Sequence, residues 1–122
     1  MSRASSNANA VVRSVTDLLN AENIWNMRIQ TGGLMGAKRF IRFGKKGAAD
    51  VLALVNIGPF LDENPCLPLW VEAKSGSGRQ SPAQKEFQAE VEAAGHSYII
   101  AHDGPEAVVE WLKEHGVITN GT

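Results

Sequence analysis

Leu69-Trp70-Val71-Glu72-Ala73-Lys74 is the stretch on which the fold of this chain turns. It reads as a strand, apolar until a glutamate and a lysine set two residues apart, and it is ended by the flexible run Ser75–Gln80 (SGSGRQ). Alternate side chains of a strand share a face, so Glu72 and Lys74 emerge together, about 6.6 Å apart along it. Two charges at the end of an apolar strand are costly unless they have partners or chemical work. A Glu-x-Lys pair on an exposed strand, balancing itself, is the plainer alternative.

Upstream, Asp50–Ile57 (DVLALVNI) is a second apolar strand, joined to the first across a Gly- and Pro-rich connection at 58–66. If the two pair antiparallel with their ends in register, Asp50 converges on Glu72 or Lys74. Neighbouring carboxylates repel unless a divalent cation sits between them. A hard, oxygen-rich site with few protein ligands suits Mg²⁺ or Mn²⁺, and the backbone carbonyl of Ala73 is a further candidate ligand. Beside a scissile phosphate, Lys74 would position the attacking water, assist its deprotonation or stabilise developing charge.

Downstream, Ser81 is placed to cap a helix with Pro82 at its first position and Gln84 three residues after the cap, a capping-box pattern. Phe87, Val91 and Ala94 form its buried stripe and Gly95 stops it. Ser97–Ala101 (SYIIA) reads as a buried strand, and Asp103 as the cap of a last helix with Val108, Val109 and Leu112 facing inward. At the other end, Val11, Val12, Val15, Leu18 and Leu19 mark one stripe of a helix over 6–21. Ile24–Gln30 reads as a strand closed by a turn at Thr31-Gly32-Gly33, residues 34–40 as irregular, and Arg39–Phe43 as a short strand broken by Gly44–Gly47. The expected class is α/β, a mixed sheet flanked by helices in the order α-β-β-β-β-α-β-α. Residues 1–122 form one domain in this reading, with residues 1–5 and 117–122 frayed.

Composition narrows the possibilities. A chain of 122 residues with 43% hydrophobic content fits one soluble globular domain. No apolar run approaches the roughly 20 residues of a membrane span, and MSRASSNANA lacks the apolar core of a secretory signal, so the expected location is cytoplasmic. The lone Cys66 excludes an internal disulfide. The net charge of −1, from 12 Lys+Arg against 13 Asp+Glu, conceals a strong asymmetry. Residues 23–49 carry Arg28, Lys38, Arg39, Arg42, Lys45 and Lys46 with no acid, whereas residues 82–122 carry seven acids against two lysines. A basic segment just before Asp50 can hold a polyanion beside the carboxylates. Lys38, Arg39, Arg42, Lys45, Lys46 and the loop residue Arg79 are the candidate phosphate contacts, giving salt-dependent affinity without sequence choice.

Gly47-Ala48-Ala49-Asp50, then Trp70-Val71-Glu72-Ala73-Lys74, then Ser81-Pro82-Ala83-Gln84 together resemble the VRR-NUC domain of the PD-(D/E)xK nuclease superfamily. The resemblance covers roughly residues 10–115, and Gly95-His96-Ser97-Tyr98 is similar to the family's ending. It implies a restriction-endonuclease-like fold, Asp50 and Glu72 as metal ligands, Lys74 as catalytic lysine and Gln84 as a supporting glutamine. It further implies a Mg²⁺- or Mn²⁺-dependent endonuclease on DNA, acting as a homodimer on branched substrates such as four-way junctions. Capping alone is a rival explanation of Gln84. The family's first-helix glutamate has no counterpart here: Ser5-Ser6-Asn7-Ala8-Asn9 holds no acid, leaving Asn7 or Asn9 as substitutes, or one carboxylate fewer. Two alternatives follow, a binding module of the same fold with little or no activity, and a protein-interaction domain without a nucleic-acid role. Trp25, Trp70 and Trp111 read as core residues, and His96, His102 and His115 as surface or capping residues.

Overall fold

Four valine and leucine side chains, Val11, Val12, Val15 and Leu19, lie on one stripe of helix α1 (Arg3–Ala21) and are almost wholly buried. The fold comes from a computed structural model and is described for residues 3–29, 32–35, 40–43, 45–57 and 66–118; of residues 3–7, 32–35 and 40–43 the backbone alone is described. After α1 come β1 (Trp25–Arg28), β2 (Gly32–Met35), β3 (Phe40–Phe43), β4 (Val51–Asn56), β5 (Cys66–Lys74), α2 (Pro82–Ala93), β6 (Ser97–His102) and α3 (Glu106–Glu114).

The main sheet has the order β1-β4-β5-β6, with β1–β4 and β4–β5 antiparallel and β5–β6 parallel. It is a mixed sheet flanked by helices, in agreement with the expected α/β class. Its two faces differ. Val51, Ala53, Val55, Leu69, Val71, Ala73 and Ala101 point to one side and bury against α1 and α3, whose Val108, Trp111 and Leu112 complete the main core. Fully burying such a side chain contributes roughly 1.5–3 kcal/mol each. On the opposite face Trp70 and Tyr98 join Phe87 and Val91 of α2 and Ala49 in a smaller cluster.

Several expectations need correction, Ala94 among them, which is exposed at the C-cap of α2 and not in its buried stripe. The order contains one more strand than expected, α-β-β-β-β-β-α-β-α, because Gly32-Gly33 does not turn but lies in β2. β2 pairs antiparallel with β3, Gly32 opposite Phe43 and Met35 opposite Phe40, as a separate two-stranded sheet. Its ladder is made by backbone, so the low strand preference of glycine does not prevent it. Asp103 does not cap α3: the cap position is Pro105, without a side-chain bond. Asp103 instead adopts a left-handed backbone (φ 65°), and its carboxylate accepts the Gly76 N–H at 2.8 Å, tying the end of β5 to the end of β6. Trp25 is 55% exposed, not core, because β1 is an edge strand and the helix on its face, α2, packs against β6 at the far side of the sheet. Within the ends expected to fray, α1 already runs from Arg3, and Val117 and Ile118 pack against the core. Among the described residues no helix is long and apolar enough to cross a membrane.

Candidate active site

The β4–β5 ladder ends on Val51 opposite Val71. One step further the chain of β4 becomes Asp50, whose N–H still donates to Val71 O at 3.0 Å while its carbonyl accepts from Ile29 N at 2.8 Å. The backbone of Asp50 is thereby held between β5 and the end of β1. Its side chain reaches back to β5, where Oδ2 accepts the Ala73 N–H at 2.7 Å. Ala73 was expected to offer its carbonyl. Its amide is what engages Asp50, and the carbonyl lies on the same edge of the strand, since both groups of one strand residue point the same way. The antiparallel register therefore brings Asp50 and Glu72 to one end of the sheet.

Burial is the first cause that raises the pKa of the Asp50 carboxyl above its ordinary value. The Ala73 amide opposes it, the nearby Glu72 charge adds to it, and Arg28 and Lys74 oppose it. The Glu72 charge beside Asp50 concentrates negative charge at this end of the sheet.

Glu72 is completely buried. Its Oε1 accepts the Tyr98 hydroxyl and, at 3.3 Å, the Gln80 Nε2. Its Oε2 accepts no hydrogen bond and faces only the Lys74 ammonium at 3.3 Å, an ion pair of poor hydrogen-bond geometry. Tyr98 comes from β6: the parallel register sets Trp70 beside Tyr98 and Glu72 beside Ile100, so the phenol leans diagonally to Glu72 on one face. Burial first, and the Glu72 carboxylate next, hold the Tyr98 phenol well above its usual range, so its hydroxyl is a donor.

Lys74 Nζ also donates to Gln84 Oε1 at 2.9 Å. The same oxygen accepts the Ser81 N–H at 2.8 Å while Ser81 Oγ accepts the Gln84 N–H at 3.1 Å, so the capping box is complete. One atom of Gln84 thus completes the capping box and also contacts Lys74. The first turn of α2 is brought to the site by Gly47, which has φ +80°; a Cβ there would lie 2.3 Å from the Ala83 carbonyl oxygen. Glycine is the residue that permits both the conformation and the approach.

The basic residues divide. Lys45 and Lys46 are exposed beside α2, where Lys45 pairs with Glu90 at 3.2 Å. That exposed pair is weak and exchangeable. Arg79 is exposed on the loop before α2. Lys38 and Arg39 lie outside the described residues, as does the side chain of Arg42. The side chain of Asn7 is likewise outside them, and Asn9 accepts from Arg28 Nη2 at 3.1 Å. His96 is half-buried and accepts the Trp70 indole N–H at 3.0 Å; His115 stacks on Trp111; His102 is exposed beside Asp103. Cys66 is exposed and free.

Tyr98, Gln80 and Gln88 are the site residues that sequence reasoning missed. Gln80 bridges Glu72 to α2, its amide lying 2.8 Å from Gln88 Oε1. The signal for Tyr98 was its status as the chain's single tyrosine in an inward strand, since a buried hydroxyl needs a partner.

Among the described residues no group of three or more His, Cys, Asp and Glu gathers to hold a metal. The donors that do gather are hard carboxylate oxygens, with Glu72 Oε2 buried and without a hydrogen bond. This set fits a cation that keeps most of its own water and accepts one or two carboxylates, as Mg²⁺ and Mn²⁺ do. It does not fit a closed structural zinc site. Comparison of the chain with known protein families, with curated proteins and with solved structures finds no match.

Proposed function

We propose that this chain is a Mg²⁺- or Mn²⁺-dependent nuclease of the PD-(D/E)xK kind, with the restriction-endonuclease-like fold and the VRR-NUC relationship that its motifs resemble. The observation that carries the proposal is the convergence of Asp50, fully buried Glu72 and Lys74 at the shared end of β4 and β5. Asp50 and Glu72 would hold the cation, with the Ala73 carbonyl as a further candidate. When bound, it would neutralise phosphate charge and lower the acidity threshold of water.

The chain's own groups supply the rest. Lys74 carries a positive charge held from two sides, by Gln84 Oε1 and Glu72 Oε2, and can orient a water or stabilise charge developing on a phosphate oxygen. Burial of Glu72 excludes bulk water from one side of the pair, which strengthens every charge interaction there. Exposed Lys45, Lys46 and Arg79 would contact the phosphate backbone, joined by Lys38, Arg39 and Arg42 of the same basic segment. DNA is the proposed substrate, branched DNA such as a four-way junction in particular, and a homodimer the proposed active form. Exposed Trp25, Met27 and Leu54, gathered on one face at the β1 edge, support self-association.

The test is cleavage of duplex, flap and four-way-junction DNA, and of RNA, with Mn²⁺, Mg²⁺ or EDTA. Wild type is expected to cleave with metal only, and Lys74→Ala to lose cleavage. Full activity of that variant overturns the assignment. Light scattering tests the dimer, and a monomeric mass at working concentration removes it. The second reading, a binding module without activity, is favoured by the absence of a third acidic ligand among the described residues. It predicts salt-dependent DNA binding without Mn²⁺ uptake that Asp50→Ala abolishes.

A further inference from the structure

Glu72 is a carboxylate with two unlike oxygens. Oε1 takes both donors, the Tyr98 hydroxyl and the Gln80 amide, while Oε2 is buried with only the Lys74 ammonium in front of it. The terminal torsion of a glutamate is soft and roughly two-fold, so a bare Glu72 would exchange its oxygens and tilt its plane. Two donors converging on one oxygen stop that exchange. The donors themselves are braced. Tyr98 packs its ring beside Phe87, with centroids 6.4 Å apart, and Phe87 meets Trp70 edge-on at 5.1 Å. Gln80 is braced by Gln88 Oε1, and Gln88 Nε2 in turn donates to Glu92 Oε2 at 3.2 Å along α2.

We propose that Tyr98 and Gln80 are positioning residues that clamp Glu72 Oε1 and so present Oε2 as the single oxygen offered to a divalent cation. The inference rests on the nuclease reading, which supplies the cation. Tyr98 and Gln80 touch neither substrate nor metal in it; they act through Glu72. Lys74 has a second partner in Gln84 Oε1, so its ammonium is held independently of Glu72 Oε2. The clamp thus separates the ligand role of Glu72 from the role of Lys74.

Tyr98→Phe tests this, because it removes the hydroxyl and leaves the ring packing. Mn²⁺ binding by calorimetry is expected to weaken about 10- to 100-fold, the usual cost of losing a partner that orients a metal ligand. The Mn²⁺ concentration for half-maximal cleavage should rise in parallel, with KM for DNA unchanged. Gln80→Leu, on the loop before α2, should shift Mn²⁺ binding in the same direction and guards against a folding defect in the first variant. If wild type binds Mn²⁺ and cleaves while both variants bind Mn²⁺ within twofold of it, the clamp is overturned and the nuclease reading stands. If wild type neither binds Mn²⁺ nor cleaves, the nuclease reading falls and the clamp falls with it.

Discussion

Lys74 and Gln84 meet between the end of β5 and the first turn of α2, Nζ to Oε1 at 2.9 Å, and the oxygen that receives the ammonium also receives the Ser81 amide. One side-chain atom therefore couples the helix start to the charged site. The two functions can be separated experimentally. Ser81→Ala removes the hydroxyl half of the capping box and leaves Oε1 in place. It is expected to cost about 1 kcal/mol, read as a fall of a few degrees in Tm, with cleavage retained. Gln84→Ala should lose similar stability and also leave Lys74 with one partner fewer, reducing cleavage at least about tenfold. Equal cleavage by the two variants would show that Gln84 is a cap alone.

The Glu72–Lys74 pair predicts a non-additive pair of mutations. Lys74→Ala strands a buried carboxylate oxygen with no counter-charge, a change that costs about 3 kcal/mol or more. Glu72→Gln on top of it removes the stranded charge and keeps an oxygen for Tyr98 and Gln80. Urea denaturation in EDTA should show the double variant more stable than Lys74→Ala alone. Simple addition of the two single effects would mean that the pair is already solvated.

How much of this was legible beforehand depends on whether a contact is set along the chain or across it. Asp50, Glu72 and Lys74 followed from two apolar strands and one antiparallel register, and the observed pairing of Val51 with Val71 delivers that geometry. Gln84 followed from local capping chemistry. Tyr98 and Gln80 did not, because their meeting with Glu72 requires that β6 lie parallel to β5 with Trp70 beside Tyr98, a choice that no local pattern states. β2 escaped notice because its ladder is backbone and its first residues are glycines. Trp25 was misplaced because an edge strand gives its side chains no neighbour on one side, and edge position is a property of the sheet. Asp103, a good cap by type, was drawn to Gly76 by a left-handed turn instead.

Gly47 makes a prediction of a different kind, in which geometry is lost with no polar group removed. Gly47→Ala asks an L-residue to hold φ +80° and sets its Cβ 2.3 Å from the Ala83 carbonyl oxygen. The backbone conformation alone costs about 1–3 kcal/mol, and the contact obliges the first turn of α2 to move. The expected outcome is a marked fall in Tm together with reduced cleavage, because Gln84 and Lys74 are drawn apart. Gly95→Ala serves as the control: its φ of +89° is as strained, yet nothing lies within 4 Å of its added Cβ. Stability should fall there too, with cleavage per folded molecule unchanged.

Asp50 supplies the pH prediction. Burial, the largest influence, and Glu72 raise its folded-state pKa above the ordinary value of 3.8. The folded protein therefore holds this proton to a higher pH than the unfolded chain does. Between the two values the folded state binds more protons, so stability falls as pH rises through that window, opposite to a salt-bridged carboxylate. Asp50→Asn removes the ionisation, and its amide oxygen can still accept the Ala73 N–H. In EDTA the variant should have a higher Tm than wild type at pH 7, the gap closing as pH is lowered through and below the carboxylate range. Saturating Mn²⁺ should reverse the order. Binding at 100 times the dissociation constant stabilises wild type by about 2.7 kcal/mol, while the asparagine variant, stripped of a ligand charge, gains little and does not cleave. A variant less stable than wild type in EDTA at pH 7 would show that the Asp50 charge is stabilised by the Ala73 N–H, Arg28 and Lys74 more than it is penalised by burial and Glu72.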